Sequence, residues 1–305
     1  MKKYKKYILI NILCSIFFAN EITFSPIIYA NYESKGSTWS PLEKSIGVGG
    51  WGLTVQGYFD NFSLSMDAYN NRFFGLTDKP NYFSHEQGLS WVGNDPEGEQ
   101  FDFDVTNLKL SYDYKTITFE IGKFKRHWGP GHSSLILSSK APTFPQFGFN
   151  WDINSNINFE YFHASLRSLM KDDINSTVYE GIGAEVPEYN RYLVGHRIDW
   201  NLSENLIIGA SETLVYGVRN IDLLYLLPFA PFLSLQQYKG DLDNIQWELD
   251  FQWIINENQN LYGSFLMDEW KPSMTFDKPN RNWFGYQIGT EISNSIIEKD
   301  YFRLE

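Results

Sequence analysis

Seven consecutive residues, Arg126 to His132, gather most of the recognition chemistry of this chain: a guanidinium, two imidazoles (His127 and His132), the Trp128 indole and a Gly129-Pro130-Gly131 turn. Glycine permits unusual backbone angles and close approach, and proline stiffens the loop between the two glycines. Trp128 could stack on a sugar ring, while Arg126 could donate to a uronate or pyruvyl carboxylate. A second reading stands beside this one, in which Trp128 is a membrane-interface aromatic and the loop packs inward as a plug. Asp268-Glu269-Trp270 repeats the pairing of carboxylates with an aromatic, which suits carbohydrate or, equally, a charged rim beside an interfacial Trp. Asn94, Asp95, Glu97, Glu99, Asp102 and Asp104 form an acidic cluster of hard oxygen ligands. Its spacing matches no calcium loop, so a solvated acidic loop is the reading preferred and no metal is expected.

Templates for catalysis fail. His85-Glu86 lacks the second histidine of a zincin helix, and no Gly-x-Ser-x-Gly elbow or phosphate-binding glycine loop occurs. A pairing of Ser133 with His163, as a lipase would need, has nothing in the sequence to bring the two together. The single cysteine, Cys14, lies in the N-terminal segment. That segment reads as a Sec signal peptide, residues 1–30: Lys2, Lys3, Lys5 and Lys6 form a basic start, Ile8 to Phe18 an apolar stretch, and Ala30 a cleavage point. Removing it takes away four lysines, one glutamate and the only thiol. Residues 31–305 then carry 21 basic and 36 acidic side chains, a net charge near −15. Disulfides, cysteine nucleophiles and thiolate metal sites are excluded, and a nucleic-acid partner is disfavoured because it needs clustered Lys and Arg. Neither an enzymatic activity nor a cofactor is expected.

The elements that must position these groups are strands. With 10 Trp, 19 Tyr and 24 Phe in 305 residues but a mean hydropathy of −0.35, the chain is aromatic and yet polar on average. Period-two alternation explains both. Ile245, Trp247, Leu249, Phe251 and Trp253 fall on one face, with Gln246, Glu248, Asp250 and Gln252 on the other. Similar alternation near residues 51–55, 62–68, 108–112, 117–121, 147–151, 157–166, 192–200, 206–216, 261–270 and 283–292 predicts about twelve strands, the last beginning at Tyr301. Tight turns rich in Asn and Asp alternate with long links, the longest running from Asn70 to Phe103.

Strands of about 10 residues with one apolar aromatic face, one polar face and alternating short and long connections predict an all-β fold, a transmembrane antiparallel β-barrel of the outer membrane. In hydrocarbon a sheet is tolerated only where its backbone groups pair internally. Glu120, Arg197, Asp199, Glu248 and Asp250 would line the lumen, and Trp128, Trp151, Trp200, Trp253, Trp270 and Trp283 would form girdles at the interfaces. A soluble β-sandwich is the alternative that also alternates. If Trp51 opened the first strand, the tight turns would fall on the outside, opposite to the usual arrangement. A further strand within Asn31 to Gly50, or a different first strand, would restore it.

The stretch Gly122 to Ser139, with its Trp128-Gly129-Pro130-Gly131 turn and Leu135-Ile136-Leu137-Ser138 run, resembles the signature of the Wzi capsule-assembly family of outer-membrane proteins. Gly195-His196-Arg197-Ile198-Asp199-Trp200, the segment Leu224 to Pro228 and the segment Leu261 to Glu269 are similar to family segments in the same order. The resemblance covers roughly Gly50 to the end. It implies a monomeric barrel in the outer membrane of a Gram-negative cell, a lectin that binds capsular polysaccharide and supports capsule assembly, with Arg126, His127, Trp128, His132, Asp268, Glu269 and Trp270 as ligand-binding candidates. Family barrels have about eighteen strands, so the resemblance also implies that the strands seen are part of a larger barrel. The alternative reading of the same alternation is a passive porin for oligosaccharides or small solutes.

Overall fold

Alternation sends successive side chains to opposite faces of a strand, and the paired strands here keep that separation. The computed structural model describes residues 21–33, 46–74, 90–94, 100–168, 170–179, 183–268, 283–293 and 301–305. The architecture is all-β: apart from one small hairpin, the described strands form one antiparallel sheet of up-and-down hairpins. No helix among the described residues is long and apolar enough to cross a membrane. The chain divides into two compact units, residues 1–125 with 140–143, and residues 126–139 with 144–305.

In the first unit β1 (Glu21–Glu33), β2 (Ile46–Phe59), β3 (Phe62–Phe74), β5 (Gln100–Tyr114) and β6 (Ile117–Phe124) pair in that order, and the short β4 (Ser90–Asn94) pairs with β5. One face carries Phe24, Val55, Met66 and Leu108 in a single cross-strand row. The other carries Thr54, Asp67, Lys109 and Glu120. There Thr54 Oγ1 donates to Asp67 at 2.7 Å, and Glu120 is held in an ion pair by Lys109. Glu120 thus lies on the polar face, as its place in the alternation requires. The Phe59 and Phe62 rings, 5.9 Å apart, close the Asp60-Asn61 turn, where Asp60 takes a positive φ of 50°.

The second unit runs β7 (Phe144–Asn154), β8 (Ile157–Leu166), β11 (Arg191–Ser203), β12 (Leu206–Gly217), β13 (Asn244–Asn256), β14 (Gln259–Asp268), β15 (Trp283–Ser293) and β16 (Tyr301–Leu304). A small hairpin, β9 (Thr177–Tyr179) with β10 (Gly183–Glu185), sits in the link before β11. Two cores form, one on each face of this sheet. On the apolar face Phe159, Tyr161, Val194, Leu214, Tyr216 and Ile245 cluster with Tyr225 and Phe232, which come from the link between β12 and β13. That link holds a 3₁₀ turn at Leu223–Leu226 and the helix α1 (Phe232–Lys239). On the polar face Phe162 and Ala164 cluster with Trp128 and Leu137 from the loop that precedes β7.

Ladder positions follow the sequence reading closely from β5 onward, and β13 places Ile245, Trp247, Leu249, Phe251 and Trp253 on one face as expected. Three features differ. Among the described residues thirteen strands follow the up-and-down order instead of about twelve, because β2 starts at Ile46 and β1 precedes it. With β1 counted, the chain enters on the side of the tight turns, so the required extra strand exists but lies mostly ahead of the Asn31 to Gly50 window. The long link between β12 and β13, one of those the alternation leaves between strands, is folded onto the sheet. Trp200 and Trp253 keep the exposure expected of interfacial aromatics, at 50% and 49%, whereas Trp128 is buried and Trp270 lies outside the described residues.

β1 crosses the expected cleavage point: Glu21 to Ala30 pair with Tyr58 to Gly49, and only three residues of the strand follow Ala30. Intact mass spectrometry of the membrane-extracted chain reads this directly. A start at Asn31 is what the leader predicts; a retained Glu21 would make β1 a strand of the mature protein.

Candidate functional site

Arg197 on β11 is the centre of the polar face of the second unit. Register places Glu160, Arg197, Ser211 and Glu248 in one cross-strand row and Asn158, Asp199, Gly209, Asp250 and Ser264 in the next. The guanidinium bridges the two rows. It donates to both oxygens of Asp250 at 2.6 and 2.9 Å, to Asp199 from Nε at 3.0 Å and from Nη2 at 2.6 Å, and to Ser211 Oγ at 2.9 Å. A planar fork of donors suits this bidentate task in a way an ammonium cannot.

Onto this face folds the loop from Arg126 to Ser139. Its first anchor is Arg126, whose Nε donates to Gln146 at 2.7 Å, whose Nη1 pairs with Glu160 and whose guanidinium stacks 4.9 Å from the Phe162 ring centre. The second is Trp128, only 2% exposed, edge-on to Phe162 at 5.2 Å and laid over Gly195, where a Cβ would come within 2.7 Å of the indole. Gly129 follows with a φ of +86°, and a Cβ there would stand 3.0 Å from a Glu248 oxygen. Glycine is required at that position on both counts. The Trp128 N–H closes the base of the loop on the Leu137 carbonyl at 2.9 Å. At the tip Gln287 donates to the Ser133 carbonyl at 3.2 Å, and the Glu305 carboxylate accepts from the N–H groups of His132 and Ser133 at 2.7 and 3.1 Å. Tyr262 also donates to Glu305, at 2.8 Å. Burial works to raise the Glu305 carboxyl, but the Tyr262 hydroxyl and the two backbone donors outweigh it and hold it below the usual carboxylate range.

Glu248 is the exception to this satisfaction. It is 1% exposed, the backbone N–H of Ile136 faces it, and neither of its oxygens meets hydrogen-bond geometry with a partner among the described residues. The indole N–H of Trp128 is likewise buried without an acceptor.

These positions correct parts of the sequence reading. Trp128 offers no open ring face for a sugar and is no girdle residue, because it fills the space between Phe162 and Gly195. Arg126 has its guanidinium committed to Glu160 and Gln146. His127 and His132 are exposed, with His127 Nδ1 accepting from the Ser139 N–H at 3.2 Å. Arg197, Asp199, Glu248 and Asp250 are brought together as expected, and Asp268 joins their face, accepting from Gln246 at 3.1 Å. Glu269 and Trp270 lie outside the described residues, as do Asp95, Glu97 and Glu99 of the acidic cluster. Register instead sets Trp283, 63% exposed, beside Asp268. Ser133 and His163 fall on opposite faces of the sheet, and His163 is tied to the Tyr216 hydroxyl at 2.8 Å. No group of three metal-ligating side chains exists among the described residues. The sequence reading passed over Glu160 and Gln287, whose partners lie 34 and 154 positions away in the chain. Their even place in the polar rows was the available signal.

No protein-family model and no curated protein matches the chain. Among solved structures it is similar to the KdgM porin, at 11% identity and a TM-score of 0.32 over 88% of this chain and 99% of that one. It is also similar to OccAB2 of Acinetobacter baumannii, at 9% identity and a TM-score of 0.43 over 94% of this chain and 80% of that one. A third likeness is to OmpT of Vibrio cholerae, at 9% identity and a TM-score of 0.35 over 90% and 83%.

Arg197→Ala would leave Asp250 and Asp199 facing each other without a countercharge. Breaking a buried pair in this way costs about 3–5 kcal/mol, so the variant should lose its folded gel band at a lower temperature than the parent. Arg197→Lys should recover only part of the difference. An unchanged transition in R197A would show that the clamp does not hold the sheet.

Proposed function

We propose that this chain is an outer-membrane channel, a passive porin for small polar solutes, whose lumen is narrowed by the loop from Arg126 to Ser139. The observation that carries the reading is that this loop and the Arg197 clamp occupy the same polar face, while the opposite face presents Leu249, Phe251 and Trp253 outward at 52%, 36% and 49% exposure. Apolar side chains belong against lipid, and charged ones there would cost about 2–4 kcal/mol per basic residue at the midplane. The polar face is therefore the lumen wall. Its strand and loop charges in the second unit include the carboxylates of Asp152, Glu160, Asp199, Glu248, Asp250, Asp268 and Glu291 against the guanidinium groups of Arg126, Arg191, Arg197 and Arg303. A wall with that excess concentrates cations.

A polysaccharide-binding role at the cell surface is the second reading. It draws on the Wzi resemblance and on one structural feature, the exposed Trp283 beside Asp268 on the polar face. An aromatic face and a carboxylate at one rim suit a sugar ring, whereas the buried Trp128 and the paired Arg126 do not. Outer-membrane lipid is the partner under either reading, and export would follow from the leader at residues 1–30.

Single-channel recording in planar bilayers tests the first reading. The expected result is stepwise conductance with a reversal potential showing cation preference in a salt gradient. Trp128→Ala removes the wedge that seats the loop, so its mean conductance should rise by several-fold while heat-modifiable migration persists. A silent wild type combined with loss of cell-attached capsule on gene deletion would replace the channel with the polysaccharide reading.

A further inference from the structure

The link between β12 and β13 descends along the apolar face of the second unit, reaching the level of Glu212. Glu212 lies five residues inside the end of β12, about 16 Å along a strand at ~3.3 Å per residue. Irregular backbone at membrane depth is tolerated where it is buried against protein, and the deepest part of this link is packed on the sheet through side-chain partners. His196 Nδ1 donates to the Pro228 carbonyl at 3.0 Å. The first two N–H groups of α1, from Phe232 and Leu233, donate to the Glu212 carboxylate at 2.8 and 3.2 Å. That carboxylate also accepts from Trp247 Nε1 at 3.0 Å and from His196 Nε2 at 2.9 Å. Four donors fill its two oxygens, so Glu212 has no capacity left for a ligand.

Higher up, the link is bound by polar contacts that keep it folded. Tyr161 donates to the Tyr225 carbonyl at 2.8 Å, and Tyr225 donates to Asp243 at 2.5 Å. Arg219 forks onto Asp243 at 2.9 and 2.5 Å. Burial works to raise the Asp222 carboxyl, but the Leu224 N–H and the Lys239 ammonium outweigh it and hold it below the usual carboxylate range.

Between Phe229 and Pro231 of the link and the strands beneath is a cleft of about 610 Å³. Its lining is mostly apolar, with Trp151, Phe159, Ile198, Ala210, Leu249 and Met267, and also includes His196, Ser211, Glu212 and Glu248. That volume is in the range of sites for small organic ligands, about 300–1,000 Å³. With the His196–Glu212 pair saturated, most of the surface the cleft offers is apolar. The cleft is continuous with the exposed apolar rows of β11 and β13, and the link above it turns Leu223, Leu227 and Phe229 outward at 76%, 49% and 62% exposure.

We propose that this cleft holds an acyl chain of an outer-leaflet membrane lipid. The occupant must reach a face bathed in hydrocarbon and bring no polar group into the cleft, which an acyl chain does and a soluble partner does not. The leaflet follows from the connection: long links lie on the extracellular side of such barrels and tight turns on the periplasmic side. The inference rests on the reading of the apolar face as lipid-contacting.

Native mass spectrometry of the full chain in mild detergent, after delipidation and addition of equimolar lipid A and phosphatidylethanolamine, tests it. The wild type should keep one lipid A adduct under activation that strips the detergent. Ala210→Phe, which adds bulk to the lining, should weaken that adduct at least tenfold, and Met267→Trp, which narrows the cleft from another strand, should do the same. Heat-modifiable migration of all three reports folding separately. Equal adducts on wild type and both variants, adducts of phosphatidylethanolamine alone, or a dimer mass that disappears in A210F would each overturn the assignment. Failure of the membrane reading would look different, as a chain that stays soluble without detergent.

Discussion

A strand has two sides, and hydrocarbon accepts only one kind of chemistry on the side it touches. Everything else in this protein is arranged around that constraint. Because a one-residue slip would exchange the faces, register is fixed by the alternation itself, and the long antiparallel ladders of the second unit keep it, shifting beside tight turns such as Asn201/Ser203 and Ile254/Asn256. The backbone groups are consumed by the ladders, so the side chains are left to decide what each face does.

Each face of the second unit then acquires one saturated polar node. On the polar side it is a cation: Arg197 spends its fork on Asp250, Asp199 and Ser211. On the apolar side it is an anion: Glu212 accepts from two helix N–H groups, an indole and an imidazole. A buried charge is tolerated when its hydrogen-bonding capacity is filled. The two nodes use that rule in opposite signs, and each ties a connection to the sheet or braces the wall where one docks.

Most of the strands were legible because the signal has a short period. Ile245 to Trp253 can be assigned to its faces from nine residues, with no knowledge of its neighbours. The site was legible only in part. Its charges, Arg197, Asp199, Glu248 and Asp250, could be placed on one face by parity, but their pairing depends on which strands adjoin, as in the 53-residue separation between Arg197 and Asp250. Trp128 misled for a related reason. An exposed loop and a loop folded back on the sheet share a composition, and what separates them is Gly195, 67 positions away, whose missing side chain makes room for the indole. The β12–β13 link hid its folding similarly, since Phe232 and Tyr225 look like loop aromatics until Glu212 and Tyr161 are opposite them.

The two folded connections differ in how firmly they are closed. The link on the apolar side ends with every oxygen of Glu212 satisfied, so opening it would strip a carboxylate of its donors on an apolar face. The loop on the polar side is seated over Glu248, whose oxygens meet no hydrogen-bond partner in good geometry, and buries its own Trp128 indole N–H without an acceptor. Burying such groups works against closure. Water entering beneath the loop would satisfy both at once. Closure therefore depends on the packing of Trp128 against Phe162 and Gly195 and on the Arg126–Glu160 pair, with Glu248 pulling the other way. A connection balanced in this manner is the movable one, and it is the connection that lies over the polar wall.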